Sequence, residues 1–439
     1  MNKSDNTELK KKVYQVFDPD QPAGEDNAPY VNLDDVRGDE NIVTELAETI
    51  LLSSNDTPTC QILAGHRGSG KTSELLRLKC VLEKQHKLFV VFCRADKHIE
   101  RNDVDFPDVL MAVIKDLAAQ LKDRVGIELK PGYFKELLPR VKKYLGSEVS
   151  LENIGLEVGI GKISLAMKSS PTARDEIRKL LEPDTSNLIQ AANDVISQAR
   201  LELSKKDHAG LVIIVDDLDK MVHRRHQTAE CSTSQYLFVN REAQMRGFNC
   251  HLAYTTPLAL AYSSCEQMLV NLYGNDIPVV PMIRIGNKPP DDNRYEEGYR
   301  KLRKMIRSRL EEAGTTPEVV FESKEIKNLL IKLSGGQPRE LMILVREAIV
   351  KNGLPIKNDG VKRAKFSVLR SYERTLLPKH REIIEVVRQT GELPRTADND
   401  ETIRQLLDNR AVLQYRNDKE WYNVNPLVPK PFAPDDSDQ

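Results

Sequence analysis

The sequence predicts an α/β protein, a parallel sheet covered by helices, followed by a helical segment and a small C-terminal helix–hairpin domain. Three observations carry this. Short, mainly apolar runs of strand length occur at 60–64, 88–93, 211–215, 251–254 and 279–285, as expected of strands buried on both faces. Segments with apolar residues at helical spacing lie between them, so that strand followed by helix recurs about five times, the order of a parallel sheet. Directly after the first run comes a glycine-bearing loop, and Leu75, Leu78 and Leu82 behind it mark a helix.

That loop is Gly65-His66-Arg67-Gly68-Ser69-Gly70-Lys71-Thr72, a full match to G-x-x-x-x-G-K-[ST], the Walker A phosphate-binding pattern. Glycines let backbone N–H groups approach phosphates, the lysine supplies charge for the β- and γ-phosphates, and the hydroxyl ligates Mg²⁺. Strand, loop, helix is the required context, because the helix N-terminus adds free amides and its dipole. The expected nucleotide-binding residues here are Gly65, Arg67, Gly68, Ser69, Gly70, Lys71, Thr72 and Ser73, with ATP/ADP and Mg²⁺ as cofactors. Lys71 is also a candidate catalytic residue, and Thr72 a candidate metal ligand.

The chain-wide properties exclude several classes. The 439 residues suffice for two to four domains. A formal net charge of −1 gives no global field toward nucleic acid. Six cysteines show no C-x-x-C pair or zinc spacing and read as free thiols of a reducing cytoplasm. The polar N-terminus lacks a signal-like apolar region, and no apolar run has the length of a membrane span. The expectation is a cytoplasmic protein without membrane association.

In chain order, residues 1–30 read as an N-terminal arm. Ile42, Val43, Leu46 and Ile50 mark an amphipathic helix opening a nucleotide-binding domain at 31–287. Val109 to Leu121 predicts another helix. An insertion at about 126–185 carries Ile154, Leu156, Val158 and Ile160, then Ile163, Leu165 and Met167, alternating across Gly161-Lys162, which predicts a β-hairpin. The strand Leu211-Val212-Ile213-Ile214-Val215 ends in Asp216-Asp217-Leu218-Asp219. A carboxylate at such a strand tip is placed to hold Mg²⁺, which makes Asp216 the second metal ligand; Asp217 can polarise the attacking water, with Asp219 its competitor. Thr255 and Thr256 end the next strand and are candidates for contacting the γ-phosphate or that water; capping a loop is the alternative. Residues 288–355 read as a helical lid, broken at Ser334-Gly335-Gly336-Gln337 before Pro338. From 356 to 432, two helices precede strands 412–416 and 420–424, which is winged-helix order. Trp421, the only tryptophan, reads as packing in the wing, and 433–439 reads as an acidic tail.

Taken together, G-H-R-G-S-G-K-T, L-V-I-I-V-D-D-L-D, Y-T-T-P and S-G-G-Q-P-R resemble P-loop ATPases of the AAA+ and STAND groups over about residues 31–430. The resemblance implies a five-stranded sheet with the 251–254 strand between the Walker A and acidic strands, a helical lid and a winged helix. It places Gly336-Gln337-Pro338 near the nucleotide base, makes Arg339 the lid arginine called sensor 2, and assigns Val36-Arg37-Gly38 to adenine contact. Asp-Asp stands where most AAA+ enzymes carry Asp-Glu, which suits slow hydrolysis. Arg241, Arg246 and Arg284 are the arginine-finger candidates, and homo-oligomerisation through a shared ATP site is compatible with the pattern.

The implied function is an ATP-binding regulatory ATPase that switches conformation or assembly with nucleotide state and acts on a separate protein partner. The alternative is a DNA-loading initiator-type ATPase. Sequence-specific DNA binding is not expected, because the candidate recognition helix, 401–409, sets Arg404 against Glu401 and Asp408, and residues 361–430 hold 14 Lys+Arg against 10 Asp+Glu.

Overall fold

The structure, a computed structural model, describes residues 3–24, 30–38, 41–54, 56–144, 155–226, 229–274, 276–291, 293–396 and 398–429; the expected acidic tail lies outside them. The chain runs α1 (Lys3–Val16), α2 (Ile42–Leu51), β1 (Cys60–Gly65), α3 (Lys71–His86), β2 (Leu88–Arg94), α4 (Phe106–Val125), α5 (Tyr133–Val141), α6 (Leu156–Ser169), α7 (Pro171–Leu181) and α8 (Thr185–Ser204). It continues through β3 (Gly210–Asp216), β4 (His251–Thr255), β5 (Val279–Val280), α9 (Glu296–Glu312), α10 (Lys324–Leu333), α11 (Pro338–Asn352) and α12 (Asn358–Thr375). It closes with α13 (Arg381–Thr390), α14 (Asp400–Asp408), β6 (Val412–Arg416) and β7 (Glu420–Val424). Two compact units form. One comprises 42–64 and 75–278, the other 1–41, 65–74 and 279–439.

The five-stranded sheet has the order β2-β3-β4-β1-β5. Strands β2 and β3, β3 and β4, and β4 and β1 pair in parallel. The 251–255 strand therefore lies between the Walker A strand and the acidic strand, as the family pattern implies. The solid apolar runs are explained by burial on both faces: β3 is buried from Leu211 to Asp216 and β4 throughout. Helix α4 is set by its ends. Asp105 and Asp108 form a capping box, Pro107 sits in the first turn, and Gly126 closes the helix in the left-handed conformation.

Residues 156–169 form a helix, and the hairpin expected across Gly161-Lys162 does not form; Ile154 lies outside the described residues. The buried apolar side chains are Leu156, Ile160, Ile163 and Met167, at helical spacing. Val158 and Leu165 are 47% and 65% exposed. The period-2 alternation arose because these two apolar residues on the solvent face filled the gaps in a helical stripe. Among its described residues the insertion forms helices and no strand. It is tied to α4 and the segment just before it by Arg178, which pairs with Asp103 at 2.7 Å and with Asp108 at 2.5 Å, and by Arg174, which pairs with Asp103 at 2.8 Å.

In the other unit, the arm is a helix whose Val13, with Phe17 just beyond its end, is buried. Arg309 on α9 donates to the carbonyl oxygens of Val16 and Gln21. The expected strand 279–285 stops at Val280. Beyond it the backbone N–H groups of Met282, Ile283 and Arg284 donate to Gln414, Gly336 and Val36 respectively, so no ladder can continue. Gly336 has φ +74°, and a Cβ there would lie 1.9 Å from the Ile283 carbonyl oxygen; only glycine permits that approach. Helices α13 and α14 and the β6–β7 hairpin appear in the expected order. Trp421 stacks on Tyr415 with ring centroids 4.5 Å apart and packs with Met282 and Leu413. All six cysteines are free, and among the described residues no helix is long and apolar enough to cross a membrane.

Candidate functional site

The phosphate-type loop leaves β1 and enters α3 at Lys71. The Lys71 ammonium donates to the carbonyl oxygens of Gly65 at 2.7 Å and His66 at 2.9 Å. Gly68 has φ +88°, and a Cβ there would lie 2.7 Å from the Arg339 Cβ, so the approach of helix α11 requires glycine at this point. The Arg339 N–H reaches the Gly68 carbonyl at 3.5 Å, and Gln337 Nε2 donates to the Arg67 carbonyl at 2.7 Å. Pro338 opens α11 as its first residue, where its missing N–H costs nothing. Ser73 accepts from the Ala23 N–H. Buried Ser69 Oγ and Gln337 Oε1 have no hydrogen-bond partner among the described residues.

Two further residues hold this loop, and motif reading missed both as supports. Arg37, expected at adenine, is buried and pairs with Glu74 at 2.8 Å, while its other terminal nitrogen donates to the Ser69 carbonyl. Glu74 also accepts from the Tyr30 hydroxyl at 3.0 Å. His66 fills a variable position of the motif and is 2% exposed. Its Nε2 accepts from the Gln414 N–H at 2.9 Å, which places the ring proton on Nδ1, 3.2 Å from the Leu407 carbonyl oxygen. Burial first, and then the charge of Lys71, lower its pKa to about 3. The imidazole is neutral and joins the loop to both α14 and β6. No sequence signal marks these bonds, because the partners are backbone groups more than 300 residues away.

Arg339, expected as the lid arginine called sensor 2, pairs with Asp20 at 2.7 Å and donates to the Pro19 carbonyl oxygen. Its guanidinium therefore holds the N-terminal segment.

In the other unit, the end of β3 gathers Asp216, Asp217 and Asp219, whose carboxylate oxygens lie within 4.8 Å of one another. Asp216 Oδ1 accepts from the Asp217 N–H at 2.7 Å. Asp217 adopts φ 71°. Its carboxylate pairs with Arg94 at 2.9 Å and with Lys220 at 2.5 Å. Burial, and then the hydrogen bond shared with Asp96, push Asp217 up. Asp96 moves down: burial opposes this, but the Asp217 hydrogen bond and the charges of Lys220 and Arg94 outweigh it. An ion-pair role for Asp217 is thus built in beside the water-polarising role that the sequence assigns it.

The two threonines differ in their contacts. Thr255 Oγ1 accepts from the Leu218 N–H at 3.1 Å, which is the loop-capping role. Thr256 Oγ1 is buried and has no hydrogen-bond partner among the described residues. Of the finger candidates, Arg241 pairs with Asp105 and Glu182 and Arg246 with Glu242. Arg284 lies over the Tyr295 ring, 3.4 Å from its centroid. On α14, Arg404 is bound on both sides within its own helix, by Glu401 at 2.7 Å and Asp408 at 2.6 Å.

No protein-family model and no curated relative matches the sequence. Among solved structures, the chain is similar to a Walker-type ATPase of Pyrococcus abyssi, at TM-score 0.46 and 12% identity over 94% of this chain and 98% of that one. It is also similar to the ORC2 protein of Aeropyrum pernix, at TM-score 0.41 and 12% identity over 94% of each chain. The Drosophila ORC bound to DNA gives TM-score 0.41 and 13% identity, over 97% of this chain and 90% of that one. Similarity at this level shows neither a shared family nor a shared activity.

Proposed function

We propose that the protein is an ATP-binding, slowly hydrolysing regulatory ATPase of the AAA+/STAND kind, which switches with nucleotide state and acts on a separate partner. The observation that carries the reading is the pair of His66 hydrogen bonds. A residue inside the phosphate loop is fixed through both ring nitrogens to the backbone of α14 and β6. A shift of that loop on binding a polyphosphate must move or break these bonds, and this is the coupling a switch needs. The loop's composition fits the nucleotide: glycine where a side chain would clash with the lid, a buried ammonium, and unpartnered Ser69 and Gln337 atoms.

Lys71 binds the polyphosphate. Thr256 offers its hydroxyl to the γ-phosphate or the attacking water, and Asp217 orients that water. Thr72 and Asp216 keep the metal-ligand roles read from the sequence, and the carboxylate set at the β3 end has the hard oxygen donors that Mg²⁺ prefers. Mg²⁺ would supply charge neutralisation for the phosphates. A second reading, a DNA-loading ATPase, is favoured by the helix–helix–hairpin order of 381–424, which matches a winged helix.

Size in solution tests the proposal, measured with ADP and with a non-hydrolysable ATP analogue in the presence and absence of duplex DNA. The switch reading expects a nucleotide-dependent change in compactness or assembly without DNA. Tight, nucleotide-dependent duplex binding with no such change establishes the loader instead.

A further inference from the structure

Helix α12 shows one face that neither reading uses. It buries Val361, Ala364 and Tyr372 and leaves the opposite side in water. On that side a groove of about 680 Å³ is lined by Arg363, Arg370 and Arg374 of α12 and by Lys351 at the end of α11. Among the described residues no acidic residue lines it. Arg363 has an exposed i,i+4 pair with Asp359, a weak compensation. Arg370, Arg374 and Lys351 make no ion pair among the described residues. In the same groove lie the hydroxyls of Ser367 and Ser371 and the ring of Phe366, which is 62% exposed.

We propose that this groove binds single-stranded nucleic acid without sequence preference, through the phosphates and one stacked base. The partner must be anionic, because four cations face the groove and one carboxylate answers them. It must be narrow and extended, because the arginines form a stripe at i, i+7 and i+11 that runs about 17 Å along one helix. Serine hydroxyls interleaved with arginines are donors suited to phosphate oxygens. An exposed aromatic ring beside cations is a platform on which any base can stack, and an unpaired strand alone can present a base face to it. A carboxylate-rich peptide would satisfy the arginines but has no comparable use for an exposed ring. The site is separate from the winged-helix reading, because the 400–408 helix keeps its single arginine paired with its own carboxylates.

The test is fluorescence anisotropy of the full chain with a labelled 15-nucleotide oligo-dT across 50–200 mM salt. The expected result is weak binding that falls with salt, at a slope of roughly −2 to −3 for three or four phosphate contacts. The double change Arg370→Gln, Arg374→Gln should make the slope shallower by about 1.4. Phe366→Ala should weaken binding about fivefold or more at unchanged slope. All three side chains are exposed, so these variants should fold as the parent does. Lys71→Ala should bind the oligonucleotide as well as the wild type. Four outcomes overturn the proposal: no binding at 50 mM salt; binding indifferent to the arginine and Phe366 changes; loss in Lys71→Ala, which would put the strand on the phosphate loop; or binding of a poly-glutamate peptide in place of the oligonucleotide.

Discussion

Lys71 and His66 occupy the same loop with opposite tasks. The Lys71 ammonium, buried and directed at carbonyl oxygens of its own loop, is the main countercharge available to a polyphosphate there. Lys71→Ala should abolish tight ATP binding in a fluorescent-nucleotide titration, and wild-type affinity in the variant would remove the site. His66 controls what the loop is attached to. Its folded pKa of about 3 lies below the ordinary value of 6.5, so the unfolded chain binds a proton that the folded chain refuses. The stability it contributes is complete above pH 6.5 and is lost as pH falls toward 3, at up to about 1.4 kcal/mol per pH unit. His66→Asn should flatten that part of the stability–pH curve, measured by urea unfolding between pH 7 and 5. An unchanged curve would mean that the ring is not held neutral by these contacts. At the β3 end, Asp216→Asn should weaken the Mg²⁺ dependence of ATP binding. Asp217→Asn should keep Mg·ATP bound, slow its hydrolysis, and destabilise the fold by roughly 1–3 kcal/mol, because Arg94 and Lys220 lose a buried acceptor. Parallel binding, turnover and unfolding measurements separate the two carboxylates; indistinguishable variants would refute this division of roles.

Elements whose apolar pattern has a single interpretation were legible before any coordinates. The β3 run has no polar residue to confuse it. The 381–424 segment reads as two helices and a hairpin because its apolar residues keep one period at a time. Legibility failed where two periods overlap. Helix α6 carries Val158 and Leu165 on its solvent face, and its stripe became an apparent alternation. The end of β5 failed for another reason: strand-like residues continue, but their N–H groups are captured by Gln414, Gly336 and Val36, which local sequence does not encode. The site follows the same rule. The loop and the acidic strand tip lie in contiguous motifs, whereas the Arg37–Glu74 strut and the His66 clamp depend on long-range partners. The insertion's attachment was equally invisible, since Arg174 and Arg178 meet Asp103 and Asp108 only through the fold. Arg178→Ala would leave Asp108 buried and unpaired, and Asp108 is already pushed up by burial despite the arginine's pull. Removing one partner of a buried pair costs about 3–5 kcal/mol. We expect a loss of this order in denaturant unfolding, with ATP affinity unchanged in the folded variant. A loss below ~0.5 kcal/mol would show that the insertion is attached by apolar packing alone.

At the scale of the whole molecule, the chain divides into two compact units, and ligand binding can be tested against the unfolding of each. Residues 65–74, which hold Lys71, belong to the unit that also contains 279–439. Trp421, the only tryptophan of the chain, is in that unit too, buried and stacked on Tyr415. Tryptophan fluorescence therefore reports the unfolding of the unit that carries the loop, while far-ultraviolet circular dichroism reports helices in both. A ligand that binds only the folded form stabilises it by about 2.7 kcal/mol at a free concentration of 100 Kd. With Mg·ATP at that concentration, the midpoint of the fluorescence transition in urea should rise by roughly 1 M, taking a slope of about 2–3 kcal/mol per M. The shift should vanish in Lys71→Ala and persist in Phe366→Ala, whose side chain lies on the outer face of α12. The circular-dichroism curve should shift less than the fluorescence curve if the units unfold separately, and equally if they unfold together. A fluorescence midpoint that ATP leaves unchanged, in protein shown by titration to bind it, would mean that the nucleotide binds the loop without engaging the unit around it. His66 could not then be the coupling residue of a switch.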